Sequence, residues 1–206
     1  MAVVSNGTTI IDAGALGSGV ATGKMTLIKT LTASNSSTLS FVDGAASVVL
    51  DDTYDSYVFK FINIHPATDN VDFTFNGSID GGSNYNVVKT TTFFRATHNE
   101  AGNDSGLEYR ASQDLAQSTA AQIILQQIGN DNDQSGSGTL TLYNPSSTTF
   151  AKHFIVRVNT TTHNDQCISD HIAGYFNNTN DINAVQFKMS SGNIDSGVIK
   201  LYGIGG

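Results

Sequence analysis

Short runs in which apolar and polar residues alternate recur from Met25 to the end of the chain, each bounded by turn formers. That pattern leaves little room for any class but all-β, because successive side chains of a strand point to opposite faces. The clearest run is residues 57–64, YVFKFINI. Tyr57, Phe59 and Phe61 share one face, Val58, Lys60 and Ile62 take the other, and Pro66 ends the ladder because it has no N–H to give. Residues 71–76 repeat the alternation with Val71, Phe73 and Phe75 inward, and Asn76-Gly77 then reads as a turn.

Further strands are expected at residues 25–31, 38–42, 47–50, 85–95, 138–143, 153–158 and 168–176. Asp43-Gly44 reads as a hairpin turn between two of them. Residues 119–128, TAAQIILQQI, suit a helix by their alanine and glutamine, but strands on both sides and the glycine-rich loop that follows favour a strand. Two alternating runs close the chain. Val185, Phe187 and Met189 share a face of the first, and Val198 or Ile199, Leu201 and Ile204 mark the second. The Ser, Gly, Asn and Asp between them predict an antiparallel hairpin. Ten to twelve strands at these intervals read as an antiparallel β-sandwich, jelly-roll-like, in one domain spanning residues 25–206. Residues 1–24 carry five glycines among short apolar pieces, which reads as an extended N-terminal arm with one short strand. The arm is either a flexible terminus or a segment that docks on a neighbour.

Charged residues make up only 14% of the 206, and Asn, Ser, Thr and Gly carry the polar load. The net charge of −8 repels a phosphate backbone, and the ten Lys and Arg form no patch in sequence, so no nucleic-acid partner is expected. The single cysteine, Cys167, rules out an intrachain disulfide. The N-terminal residues do not read as a signal peptide and no run approaches a membrane span, so the expectation is a soluble protein made in a cytoplasm, with no membrane insertion.

Residues 186–204, QFKMSSGNIDSGVIKLYGI, resemble the closing hairpin of small β-sandwich proteins on tailed-bacteriophage particles, marine and cyanophage-like ones above all. The similarity of texture extends back to Met25. It implies a virion structural protein, assembled in the host cytoplasm, that associates with itself as a homotrimer and with other capsid or tail proteins. Capsid decoration or cement and a tail or fibre component both fit. The resemblance also implies that the N-terminal arm packs on a neighbouring subunit or a larger particle.

No catalytic signature is expected to emerge. Glu100 and Glu108 are the only glutamates, and the sixteen aspartates offer chance pairs without a motif. Asp131, Asp133, Ser135 and Gly136 match the first half of a calcium loop, but the twelfth position is Leu142 where a bidentate glutamate belongs, so a solvated hairpin loop is the other reading. His163, Asp165, Cys167, Asp170 and His171 crowd into nine residues, and all but Asp170 share strand parity; residues 164–166, however, read as a loop. No catalytic residue, cofactor or metal site is therefore assigned, and the chain is read as a non-enzyme. The alternative function is a carbohydrate-binding, lectin-like module that meets a host surface glycan, with Tyr54, Tyr57, Tyr85, Tyr109 and Tyr175 as candidate stacking residues and no tryptophan to help them.

Overall fold

Tyr57, Phe59 and Phe61 are fully buried and Ile62 is exposed, so the strongest alternation in the sequence marks the core face, although Val58 on the opposite face is buried as well. The computed structural model describes residues 2–12, 15–16 and 25–205. Its strands, in chain order, are β1 (Val3–Ser5), β2 (Thr8–Asp12), β3 (Ala15–Leu16), β4 (Met25–Ser36), β5 (Leu39–Val42), β6 (Ser56–Pro66), β7 (Val71–Ser78) and β8 (Lys89–Asn99). They continue with β9 (Ser105–Tyr109), β10 (Gln122–Ile128), β11 (Gly136–Tyr143), β12 (Lys152–Thr161), β13 (Gln166–Phe176), β14 (Ala184–Met189) and β15 (Ile194–Ile204). Among the described residues no helix is long and apolar enough to cross a membrane.

The fold is all-β, an antiparallel sandwich. An eight-stranded sheet, in the order β4-β15-β6-β11-β12-β13-β8-β9, faces a four-stranded one ordered β10-β7-β14-β5. Apolar side chains from both fill the space between, led by an aromatic cluster. Phe187 on β14 meets Phe59 and Phe61 on β6 edge to face at 5.3 and 5.2 Å, and lies stacked 5.8 Å from Phe73 on β7. Such rings bring large apolar area and a preferred geometry at once.

The closing pair is not a hairpin. β14 hydrogen-bonds to β5 and β7, whereas β15 lies between β4 and β6 in the other sheet. The turn between them crosses the sandwich and is tied to both layers: the Ser190 N–H donates to the Asp72 carbonyl (2.7 Å), and the Ala67 N–H to the Asn193 carbonyl (3.0 Å). Alternation reports which face is buried and is silent on which strand is the partner. The inward positions of the later part of β15 are Ile199, Leu201 and Gly203; Ile204 has the opposite parity and lies on the outer face with Val198 and Tyr202.

Other boundaries differ for similar reasons. Asn76-Gly77 is no turn; β7 runs through to Ser78. Gly77 is there for space, since a Cβ would sit 2.9 Å from the Phe176 ring. Residues 47–50 follow the Asp43-Gly44 turn but form no strand; instead the Leu50 N–H donates to Asp43 Oδ1 (2.8 Å). The polar stretch after Asn99 contains a strand, β9, which pairs with β8. β10 is a strand, as its neighbours suggested. Residues 25–205 thus hold twelve strands, β4 to β15. In the N-terminal segment β1, β2 and β3 form a three-stranded antiparallel sheet in place of the single short strand expected, with Val3, Val4 and Ile11 exposed; residues 13–14 and 17–24 of the expected arm lie outside the described residues.

Candidate functional site

The half-calcium loop of residues 131–136 joins β10 to β11 and folds around a buried side chain. Gln134 is buried: its N–H donates to the Asp131 carbonyl (2.9 Å), and its Nε2 donates to Asp165 Oδ1 (3.2 Å). Asp131 and Asp133 point to solvent. The His163–His171 constellation is split by the fold. Asp165 occupies the turn before β13 with φ of 59°, Cys167 and His171 lie on the outward face of β13, and Asp170 is buried on the inward face. Among the described residues no three His, Cys, Asp or Glu side chains converge on a point that could hold a metal.

Of the five tyrosines, Tyr57 is core, its hydroxyl donating to the Asp51 carbonyl (3.0 Å), and Tyr54 packs edge-on against it at 5.8 Å. Tyr85 stands over Gly82 at the edge of the small sheet. Only Tyr109 and Tyr175 belong to the outer face of the large sheet, where Tyr143, which the sequence did not single out, joins them.

Hollows of small-molecule size lie on that outer face and also at the loop of residues 132–135, where His65 and Ser196 help line one of about 420 Å³. Along β12 and β13 the outward side chains meet in register as His153 with Tyr175, Ile155 with Ala173, Arg157 with His171, and Asn159 with Ser169. Two hollows lie end to end on this seam. The first, of about 460 Å³, is floored by Ala173 and Thr92 and walled by Tyr143, His153, Ile155 and Tyr175. The second, of about 480 Å³, is bounded by Ser137, Arg157, Asn159, Ser169, His171 and Asp170, the last with its carboxyl turned to the inner face. Three pair-to-pair steps at roughly 6.6 Å each make the trough about 20 Å long. Ala173 is what opens it, a small side chain between larger ones on every side. The outward positions of β8, β9, β11, β12 and β13 include no carboxylate, in a chain with 18 acidic residues.

On the inner side the same sheet carries a buried polar cluster. Gln126 Nε2 donates to Asp170 Oδ1 (3.0 Å), while Asp170 Oδ2 has no partner. Burial holds the Asp170 carboxyl up at about pKa 7, against the opposing pull of the Gln126 hydrogen bond and of Arg95 and Arg110. Arg95 and Arg110 both reach Glu108, at 3.4 and 3.1 Å. Thr91 Oγ1 donates to Gln122 Oε1 (2.7 Å) beside them. Glu100 lies apart, on the exposed turn after β8, so the two glutamates form no catalytic pair. The cluster links β10, β13, β8 and β9 where the large sheet outruns the small one, and its chemistry is that of a polar seal.

No family model, curated protein or solved structure matches the chain.

Proposed function

We propose that this chain is a structural subunit of a bacteriophage particle, a self-associating decoration, cement, tail or fibre component built around the sandwich. The observation that carries the assembly part is the edge strand β4. It is twelve residues long, has β15 as its one partner among the described residues, and exposes Met25 and Leu27. Its sequence, MTLIKTLTASNS, holds a single charge and no proline. Edge strands of stable monomers are blunted by charge, proline, bulges or shortness; β4 has one bulge, at Ile28, but is long and nearly uncharged, which leaves most of its edge open to a strand from another chain. The exposed Val3, Val4 and Ile11 add apolar surface to the same end of the sequence. The phage particle and the homotrimer come from the resemblance of residues 186–204, which is now one of sequence texture, since those strands belong to two sheets.

Sedimentation or light scattering of the purified chain at micromolar concentration is expected to show an oligomer, three-fold by the resemblance. Leu27→Lys combined with Thr30→Lys is expected to lower that mass without unfolding the sandwich. A monomeric wild type ends the assembly reading. Immunogold labelling of intact particles tests the location: regular label over the head means decoration, label at one pole a tail component. Absence both of label and of the protein from denatured particles removes the virion.

A further inference from the structure

We propose that the trough along β12 and β13 binds an acidic oligosaccharide. Its two halves divide the work. Tyr143, His153 and Tyr175 offer ring surface around an apolar floor, with the rings of His153 and Tyr175 5.9 Å apart and tilted by 55°. Amphipathic rings of this kind cover the C–H face of a pyranose while their polar tips stay wet. The other half offers a guanidinium, an imidazole, the hydroxyls of Ser137 and Ser169, and the carbonyl oxygen of Asn159, whose Nδ2 already donates to the Ile168 carbonyl (2.9 Å).

Arg157 is the pivotal residue. The other two arginines, Arg95 and Arg110, share Glu108, whereas Arg157 takes part in no ion pair among the described residues. It stands exposed on a face whose nearby outward positions hold no carboxylate, and Lys60 and Lys200, in the same cross-strand row but two and three strands away on β6 and β15, are cations too. A chain of net charge −8 thus turns a locally cationic face outward. A planar guanidinium matches a carboxylate or sulfate group two bonds at a time. One fixed cation along a trough of about 20 Å suits a chain charged at intervals, with hydroxyls between.

The inference goes beyond the assembly reading and stands apart from it: mass in solution tests one, ligand titration the other. The full chain is titrated calorimetrically with tetragalacturonate, a heparin tetrasaccharide and a sialic acid tetramer, with the esterified galacturonate tetramer as the neutral control. At least one acidic probe is expected to bind, and more tightly than the neutral control. Arg157→Gln is expected to weaken that binding roughly tenfold or more, the usual loss for a charge-assisted pair. Arg157→Lys should fall between, and Tyr175→Ala should weaken acidic and neutral probes alike. Both side chains face solvent, and unchanged thermal unfolding of the variants checks that the fold is intact. The proposal is overturned by no binding at millimolar probe, by binding that Arg157→Gln leaves untouched, or by an oligothymidylate that competes equally well. A fall in the oligomer mass of Arg157→Gln also overturns it, since the face would then be an interface between copies.

Discussion

Phe187 on β14 and Phe61 on β6 stand edge to face with ring centroids 5.2 Å apart, and this contact joins the two sheets at the middle of the core. Phe187 also meets Phe41, Phe59, Phe73 and Phe75. A fully buried ring with neighbours from both layers leaves a void that no single strand can close. Phe187→Ala is therefore expected to cost about 3–5 kcal/mol in denaturant unfolding, and Phe187→Leu clearly less. A loss below about 1 kcal/mol would mean that the cluster does not hold the sheets together.

Gly197 lies in the irregular start of β15, with φ of 125°, where the register against β6 shifts. A Cβ there would approach the Asn63 carbonyl oxygen to 2.7 Å and Ile64 Cα to 2.9 Å, both backbone atoms that cannot move aside cheaply. Gly197→Ala is expected to destabilise by roughly 1–3 kcal/mol, from strain and crowding together. An equal change at Gly44, whose added Cβ would meet nothing within 4 Å, isolates the strain component.

Asp170 makes a pH-dependent contribution whose sign follows from its raised pKa. Below about pH 4 the carboxyl is protonated in the folded and unfolded chain alike. Between the ordinary value of 3.8 and about 7 the folded chain keeps a proton that the unfolded chain has released, so stability falls as pH rises through that window and levels off above it. Asp170→Asn keeps an acceptor for Gln126 and removes the titration. It is expected to unfold later than the wild type at pH 8, by roughly 2–4 kcal/mol, with the gap closing towards pH 4. A gap independent of pH would show that the carboxylate is solvated or paired.

Lys89 gives the opposite window. Its amine is buried, donates to the Ala120 carbonyl and lies 5.9 Å from the centre of the Phe176 ring; burial lowers its pKa to about 8. From about pH 8 to 10.5 the unfolded chain holds a proton that the folded chain has lost, so stability from this group rises with pH. Lys89→Met is expected to stabilise at pH 7 by roughly 1–2 kcal/mol after the lost bond to Ala120, an advantage that disappears near pH 10. Paired denaturation curves at the two pH values check it.

The inward apolar positions Tyr57, Phe59 and Phe61 of β6, Val71, Phe73 and Phe75 of β7, and Val185, Phe187 and Met189 of β14 were legible, because burial of one face imposes a period of two. The strand in residues 122–128 was legible only through its neighbours, its own glutamines having inward positions in the polar cluster: Gln122 and Gln126 are buried there and bonded to Thr91 and Asp170. The trough was hidden for a different reason. Tyr143, His153, Arg157 and Tyr175 come from three strands, and only cross-strand register brings them to one surface. Cys167 and His171 looked like partners by parity, which is correct for the face they share, but parity carries no information on the turn that takes Asp165 away.

What this sequence determined by itself is the class, the single cysteine's inability to form an intrachain bridge, and which side of most strands is apolar, since all three depend on local period and composition. Which sheet each strand joins was decided by tertiary structure alone. The turn at residues 190–193 can return a strand beside its predecessor or carry it across to the facing layer, and the choice lies in what β5, β6 and β7 leave unpaired on either side. Hydrogen-bond partners far apart in sequence are selected by the packing of the whole core, through contacts such as Phe187 with Phe61, and no local run of residues contains that information.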